Sequence, residues 1–157
     1  MSDILIPYKY SRIAHVSSLF ILKNSVLLYY YEEKIIGIML FICYIFTNLH
    51  WNNLKSKGII RNIDIAIVVS IFIVGFYRAF MYDCFGRYYI STSITIIAFV
   101  SNEYLNSLTL YKSDFNCMSD NYKKYVYYRS VLVHVFFLHI FQMENAGSVP
   151  QLCNLKY

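Results

Sequence analysis

The sequence predicts an all-α fold, a polytopic transmembrane helical bundle of about five spans, or four if the first lies in the interface. Three observations predict it. Apolar residues make up 58% of the 157 and charged residues only 15%, against roughly 45–50% and about 25% in soluble domains. The apolar residues gather into segments near the roughly 20 residues that cross a hydrocarbon core. Third, nine of the 14 Lys and Arg residues fall in three stretches that alternate with apolar segments: Lys9 and Arg12; Lys55, Lys57 and Arg61; Lys112, Lys123, Lys124 and Arg129. Positive charge on every second loop is the orientation signal of a multi-pass membrane protein. It places the N-terminus and the basic loops in the cytoplasm, and the tail outside.

The first span, 13–31, is the least regular, because Lys23 interrupts it and His15 stands near its start. The alternative is a helix lying in the interface. The second, 35–51, carries no charge and ends on an aromatic anchor, Trp51. The third, 60–82, has Asp64 near its start and Arg78 near its end. The fourth, 88–110, opens with Ser91, Thr92, Ser93 and Thr95, whose hydroxyls can bond within or between helices, and turns polar at Asn102 and Glu103. The fifth, 125–143, opens on Tyr125, Tyr127 and Tyr128 and carries His134 and His139. Tyrosines belong at such boundaries, where the ring meets lipid and the hydroxyl meets water. The tail, 144–157, reads as loop, with Pro150 stopping any helix. Residues 1–157 thus form one integral membrane domain, with Lys23 and Arg78 expected to snorkel.

Several classes are excluded. The net charge of +5 is spread over loops and forms no continuous stripe, so the expected partner is an anionic leaflet of the lipid bilayer and no nucleic acid. No cleavable signal peptide is visible, and the first span is expected to serve as its own insertion signal. Cys43, Cys84, Cys117 and Cys153 make no paired metal-ligand spacing. Cys43 is expected to pack as a small apolar residue. Cys84 and Cys153 fall on the outward side, where a disulfide is possible, and free thiols are the expectation. No phosphate loop or nucleophile elbow occurs.

Ionisable groups within membrane helices are costly and mark candidate sites. His50 stands at the cytoplasmic end of the second span and Asp64 about one turn into the third. His15 stands at the start of the first, and His134 about nine residues, or about 14 Å, into the fifth. All four fall in one half of the bilayer. Three imidazoles and a carboxylate with an open coordination position are what a catalytic zinc site requires. A carboxylate beside the reacting water takes its proton. The alternative leaves each His satisfied by carbonyls or headgroups and pairs Asp64 with Arg61 one turn away. Asn102 and Glu103 are expected to mark where the fourth span leaves the membrane; the alternative is that they line the same cavity.

The segment Thr47-Asn48-Leu49-His50, a short basic loop, Arg61-Asn62-Ile63-Asp64-Ile65 and the paired histidines of the last span resemble the CREST superfamily. That group contains the alkaline ceramidases and the progestin and adipoQ receptors. The resemblance implies a membrane-embedded helical bundle, a zinc held by three histidines, and hydrolysis of an amide or ester bond in a lipid substrate. Carried over, His50, His134 and His139 are ligands and Asp64 is the water-orienting carboxylate. Thr47 stands in the place of a motif Ser.

The chain departs from the pattern in three places. It has five spans at most, against seven. The motif Ser lies four positions before its His, where this chain has Phe46; Thr47 is three before. Four residues, rather than three, separate His134 from His139. On a regular helix that step turns the two rings about 140° apart, against about 40° for the shorter one. A π-bulge would restore a shared face; without one, His15 is the alternative third ligand. Two functions remain open: a zinc-dependent lipid hydrolase, or a non-enzymatic membrane protein that packs against partner subunits or shapes a membrane. A transporter is disfavoured, since the spans are unsymmetrical and unbroken by Gly or Pro.

Overall fold

The chain opens its first helix at Pro7, whose fixed φ and missing N–H suit a helix start. The structure, a computed structural model, describes residues 6–52, 59–81 and 85–144, and among these the chain is helical and holds no strand. Helix α1 (Tyr8–Ser17) runs into α2 (Leu19–Tyr30) through a bend at Ser18. The path stays helical across the bend, because the Ser18 N–H still donates to Ala14 O at 2.9 Å. The Ser18 hydroxyl donates to His15 O at 2.6 Å. Helix begins at Tyr8, earlier than the expected span, and Tyr8–Tyr30 is long and apolar enough to cross a bilayer. Lys23, the residue that weakened this span in the sequence, pairs with Glu144 at 2.9 Å.

α2 ends in a reversal. Glu32 takes the left-handed conformation at φ 65, while the Glu33 N–H donates to Leu28 O at 2.9 Å and the Glu32 N–H to Tyr29 O at 3.2 Å. These two bonds are a Schellman motif with a glutamate where glycine is usual. They turn the chain into α3 (Lys34–Asn52), which packs closely on α2. The approach is close because Gly37 has no side chain: a Cβ there would meet Tyr29 N at 2.9 Å and Ser25 O at 3.0 Å. The Ser25 hydroxyl donates to Gly37 O at 2.8 Å across the same contact.

α4 (Ile59–Met81) and α5 (Phe85–Leu108) follow, then a 3-10 turn (Ser113–Cys117) and α6 (Asp120–His134), capped by the Ser119 hydroxyl. α6 continues as a π-helix over Val135–Phe141 and stays helical to Glu144. α3 packs against α1, α2 and α4, α4 packs on α5, and α6 closes the ring against α5 and α1. Arg78 does not simply reach for the surface but pairs with Glu33 at 2.5 Å, tying α4 to the α2–α3 turn.

Among the described residues three helices are long and apolar enough to cross a membrane: Tyr8–Tyr30, Lys34–Asn52 and Ile59–Met81. The expected second and third spans match the last two within a residue or so. Cys43 is buried and Cys117 exposed, both as free thiols. The loop lysines Lys55 and Lys57, Cys84, Pro150, Cys153 and nearly all of the tail lie outside the described residues.

The α2–α3 contact yields a prediction. Gly37→Leu should destabilise the protein by about 1–3 kcal/mol through overpacking. Gly86→Ala, at a position with nothing within 4 Å, should leave the thermal midpoint in detergent unchanged or slightly raised. Equal midpoints for the two variants would refute the close packing.

Candidate functional site

The last turns of α3 put Thr47, His50 and Trp51 on one face, at steps of three and four residues. All three are buried. The first turns of α4 bring Asp64 against them, and the Thr47 hydroxyl donates to Asp64 Oδ1 at 2.9 Å. Asp64 is therefore held from α3. Arg61 turns to α5, where its Nη2 meets Glu103 Oε2 at 2.9 Å. The Tyr111 hydroxyl donates to the same carboxylate oxygen at 3.1 Å. Burial, and then the Glu103 charge, push the Tyr111 phenol up to about 12, so it keeps its proton and acts as a donor. Glu103 and Asn102 line the bundle's cavity.

The π-helix brings His139 beside His134. It hydrogen-bonds residues five apart, so His134 and His139 stack as an i, i+4 pair does on an α-helix. Their ring centroids lie 5.0 Å apart with planes at 81°. His139 is 2% exposed, and its Nδ1 lies 2.7 Å from the Ser17 hydroxyl. That hydroxyl gives its one proton to Ala14 O at 3.0 Å, so Nδ1–H donates to Ser17. The Nε2 lone pair is then the free one, the tautomer a metal ligand needs. His15 is elsewhere: half-buried, with Nδ1 3.4 Å from Ser11 O and its ring against Tyr8. It lines neither cavity of the site.

His50, Asp64 and His134 line a cavity of about 420 Å³. Asp64 and His134 also line a pocket of about 30 Å³ together with Thr47 and His139. The Trp51 ring touches both His50 and His134, with centroids 5.6 and 4.8 Å away. Among the described residues no three His, Cys, Asp or Glu side chains stand close enough to hold one ion as they lie. The donors match zinc in kind and share one neighbourhood; holding an ion requires them to close on it.

The larger cavity has a polar end and an apolar length. On α4, Arg61, Asp64, Ile65, Val68, Val69, Phe72, Ile73 and Phe76 line it at steps of three and one, the stripe of a single helical face. From Arg61 to Phe76 that stripe is about 22 Å long. Asn102, Glu103, Asn106, Tyr111 and Ser130 gather at the Arg61 end. Ile73 and Ile96 both line the cavity and are exposed on the apolar surface, so it reaches the outside between α4 and α5.

Sequence reading missed Ser17 and Tyr111, whose partners are distant or depend on a turn, and took Trp51 only as an anchor. No protein-family model, curated protein or solved structure matches the chain.

The Thr47 contact can be measured. Thr47→Val keeps the shape but leaves the Asp64 carboxylate short of a donor, a cost of about 1–3 kcal/mol. On an Asp64→Leu background the same change should cost much less. A double-mutant cycle by denaturation that shows no coupling would mean the two side chains do not interact.

Proposed function

We propose that this chain is a five-span membrane protein with its N-terminus in the cytoplasm, and a zinc-dependent hydrolase of an amide or ester bond in a lipid. The observation that carries the proposal is the larger cavity, whose polar end gathers His50, Asp64 and His134 and whose apolar length suits a lipid chain. The crossings of α5 and α6 rest on their two faces. Ile90, Ile94, Ile97 and Val100 of α5 and Leu132 and Phe136 of the last helix are exposed. Thr92, Thr95, Asn102, Asn106 and Ser130 are buried. Apolar side chains outside and bonded polar ones inside are what a lipid solvent demands.

His50, His134 and His139 would hold the zinc. When bound, the ion supplies a Lewis acid that polarises a carbonyl and activates water near neutral pH. Asp64 takes the proton of the attacking water as general base. Thr47 holds that carboxylate in place, and Ser17 fixes the tautomer of His139. The apolar walls of α4 and α5 hold the lipid chain and keep bulk water from the reacting bond.

Zinc content by mass spectrometry on detergent-purified protein tests the metal directly. About one zinc per chain is expected, lost in His50→Ala, with hydrolysis of ceramides or other lipid amides by the wild type alone. No zinc in monodisperse protein never exposed to chelator would leave a non-enzymatic membrane protein that packs with partners or shapes the bilayer.

Orientation has its own test. In cells carrying the Cys84→Ser, Cys153→Ser chain, a membrane-impermeant maleimide should label the exposed Cys117 only after permeabilisation. Labelling of intact cells would invert the topology.

A further inference from the structure

The fold brings basic residues from distant parts of the chain to one end of the bundle. Lys9 and Arg12 lie on α1, Lys112 opens the 3-10 turn, and Lys123 and Lys124 lie on α6. An aromatic cluster joins the three segments. The Tyr10 ring of α1 has its centroid 5.0 Å from both Tyr127 and Tyr128 of α6. Phe115 of the 3-10 turn meets Tyr127 at 5.6 Å.

The cations surround this cluster. Lys9 Nζ stands 5.0 Å from the Tyr10 ring centroid. Lys112 O accepts from the Phe115 N–H at 3.2 Å, so the lysine belongs to the same turn. Lys124 lies one helical turn before Tyr127 and Tyr128. Lys9, Arg12, Lys112 and Lys124 are all exposed, and Lys123 pairs with Asp120 at 3.8 Å. Arg129 turns inward to Asn106 at 2.8 Å, and Arg61 pairs with Glu103. Among the described residues that leaves five basic side chains against the carboxylates of Asp114 and Asp120.

Their surroundings set the depth. Tyr8, Tyr122 and Tyr125 are exposed among the cations, and exposed tyrosines suit the layer where lipid meets water. Further along the same two helices the exposed residues become apolar, Val16 and Leu19 on α1 and Leu132 and Phe136 on the last helix. The cations therefore stand at the headgroup edge of the apolar surface, where each attracts an anionic lipid.

We propose that this end of the bundle is a collar that gathers anionic lipid headgroups from the surrounding leaflet. It requires the bundle to sit in a bilayer, and it does not require the metal.

The full chain is reconstituted in phosphatidylcholine vesicles with a trace of spin-labelled phosphatidylserine or, separately, spin-labelled phosphatidylcholine. The motionally restricted part of each electron spin resonance spectrum gives the relative association with the protein. Phosphatidylserine should associate about fivefold more strongly, the scale of one cation's attraction for an anionic headgroup. At about 1 M salt, where the Debye length is about 3 Å, the preference should fall to within about twofold. The combined Lys9→Gln, Arg12→Gln, Lys124→Gln variant should lose the preference equally at low salt. Lys34→Gln should keep it, because Lys34 begins α3 at the end away from Trp51, which packs in the same core as Tyr10 and Phe115.

A wild-type preference below about twofold would overturn the proposal and leave the collar to water or an acidic protein. So would a preference that salt leaves untouched, or one that survives in the folded triple variant. If that variant does not fold, the salt series decides. Zinc plays no part in this readout, so failure here leaves the hydrolase reading standing, and the reverse.

Discussion

A carboxylate inside an apolar bundle has to be held by something, and the hydrogen bond from Thr47 to Asp64 does this. It ties the end of α3 to the beginning of α4 at the point where both helices turn polar side chains inward. His50 and Trp51 follow from the same α3 face, and the cavity stripe of α4 starts beside Asp64. Were Asp64 turned outward, a charge would face lipid at a cost no exposed position repays. Placing it inward orients all of α4, including the row from Ile65 to Phe76 that forms the apolar wall.

The second constraint is the π-helix over Val135–Phe141. It widens the turn between His134 and His139 so that one helix presents both imidazoles to the space beside Asp64. Ser17, from the opposite side of the ring, then fixes which nitrogen of His139 is free. Thr47 of α3, Asp64 of α4 and His134 and His139 of the last helix thus line one polar pocket. This arrangement satisfies a lipid solvent outside and a donor-rich chemistry inside.

Much of the fold was legible because it follows from composition. α3 and α4 are nearly uniform apolar runs, and their limits matched expectation within a residue or so. The first helix was harder, since Lys23 weakens the run and its partner Glu144 lies 121 positions away. In α5, buried Thr92, Thr95 and Asn102 lower the mean hydropathy, so only the two-faced pattern speaks for a crossing. At the candidate site, His50, Asp64 and His134 stand out in the sequence by type and placement, and Thr47 only through the CREST resemblance. The contact of His139 with His134 depended on a local helix type that the spacing allowed but could not select. Ser17, and the pairing of Arg61 with Glu103 and Tyr111, depend on packing between helices and leave no local mark.

The most direct test of the donor set is zinc K-edge X-ray absorption on the metal-loaded, membrane-reconstituted protein. A shell of nitrogen and oxygen at about 2.0–2.2 Å with imidazole multiple scattering is expected, and it should lose an imidazole in His139→Ala. Sulfur scattering at about 2.3 Å, or a spectrum that His139→Ala leaves unchanged, would place the metal elsewhere and contradict the site.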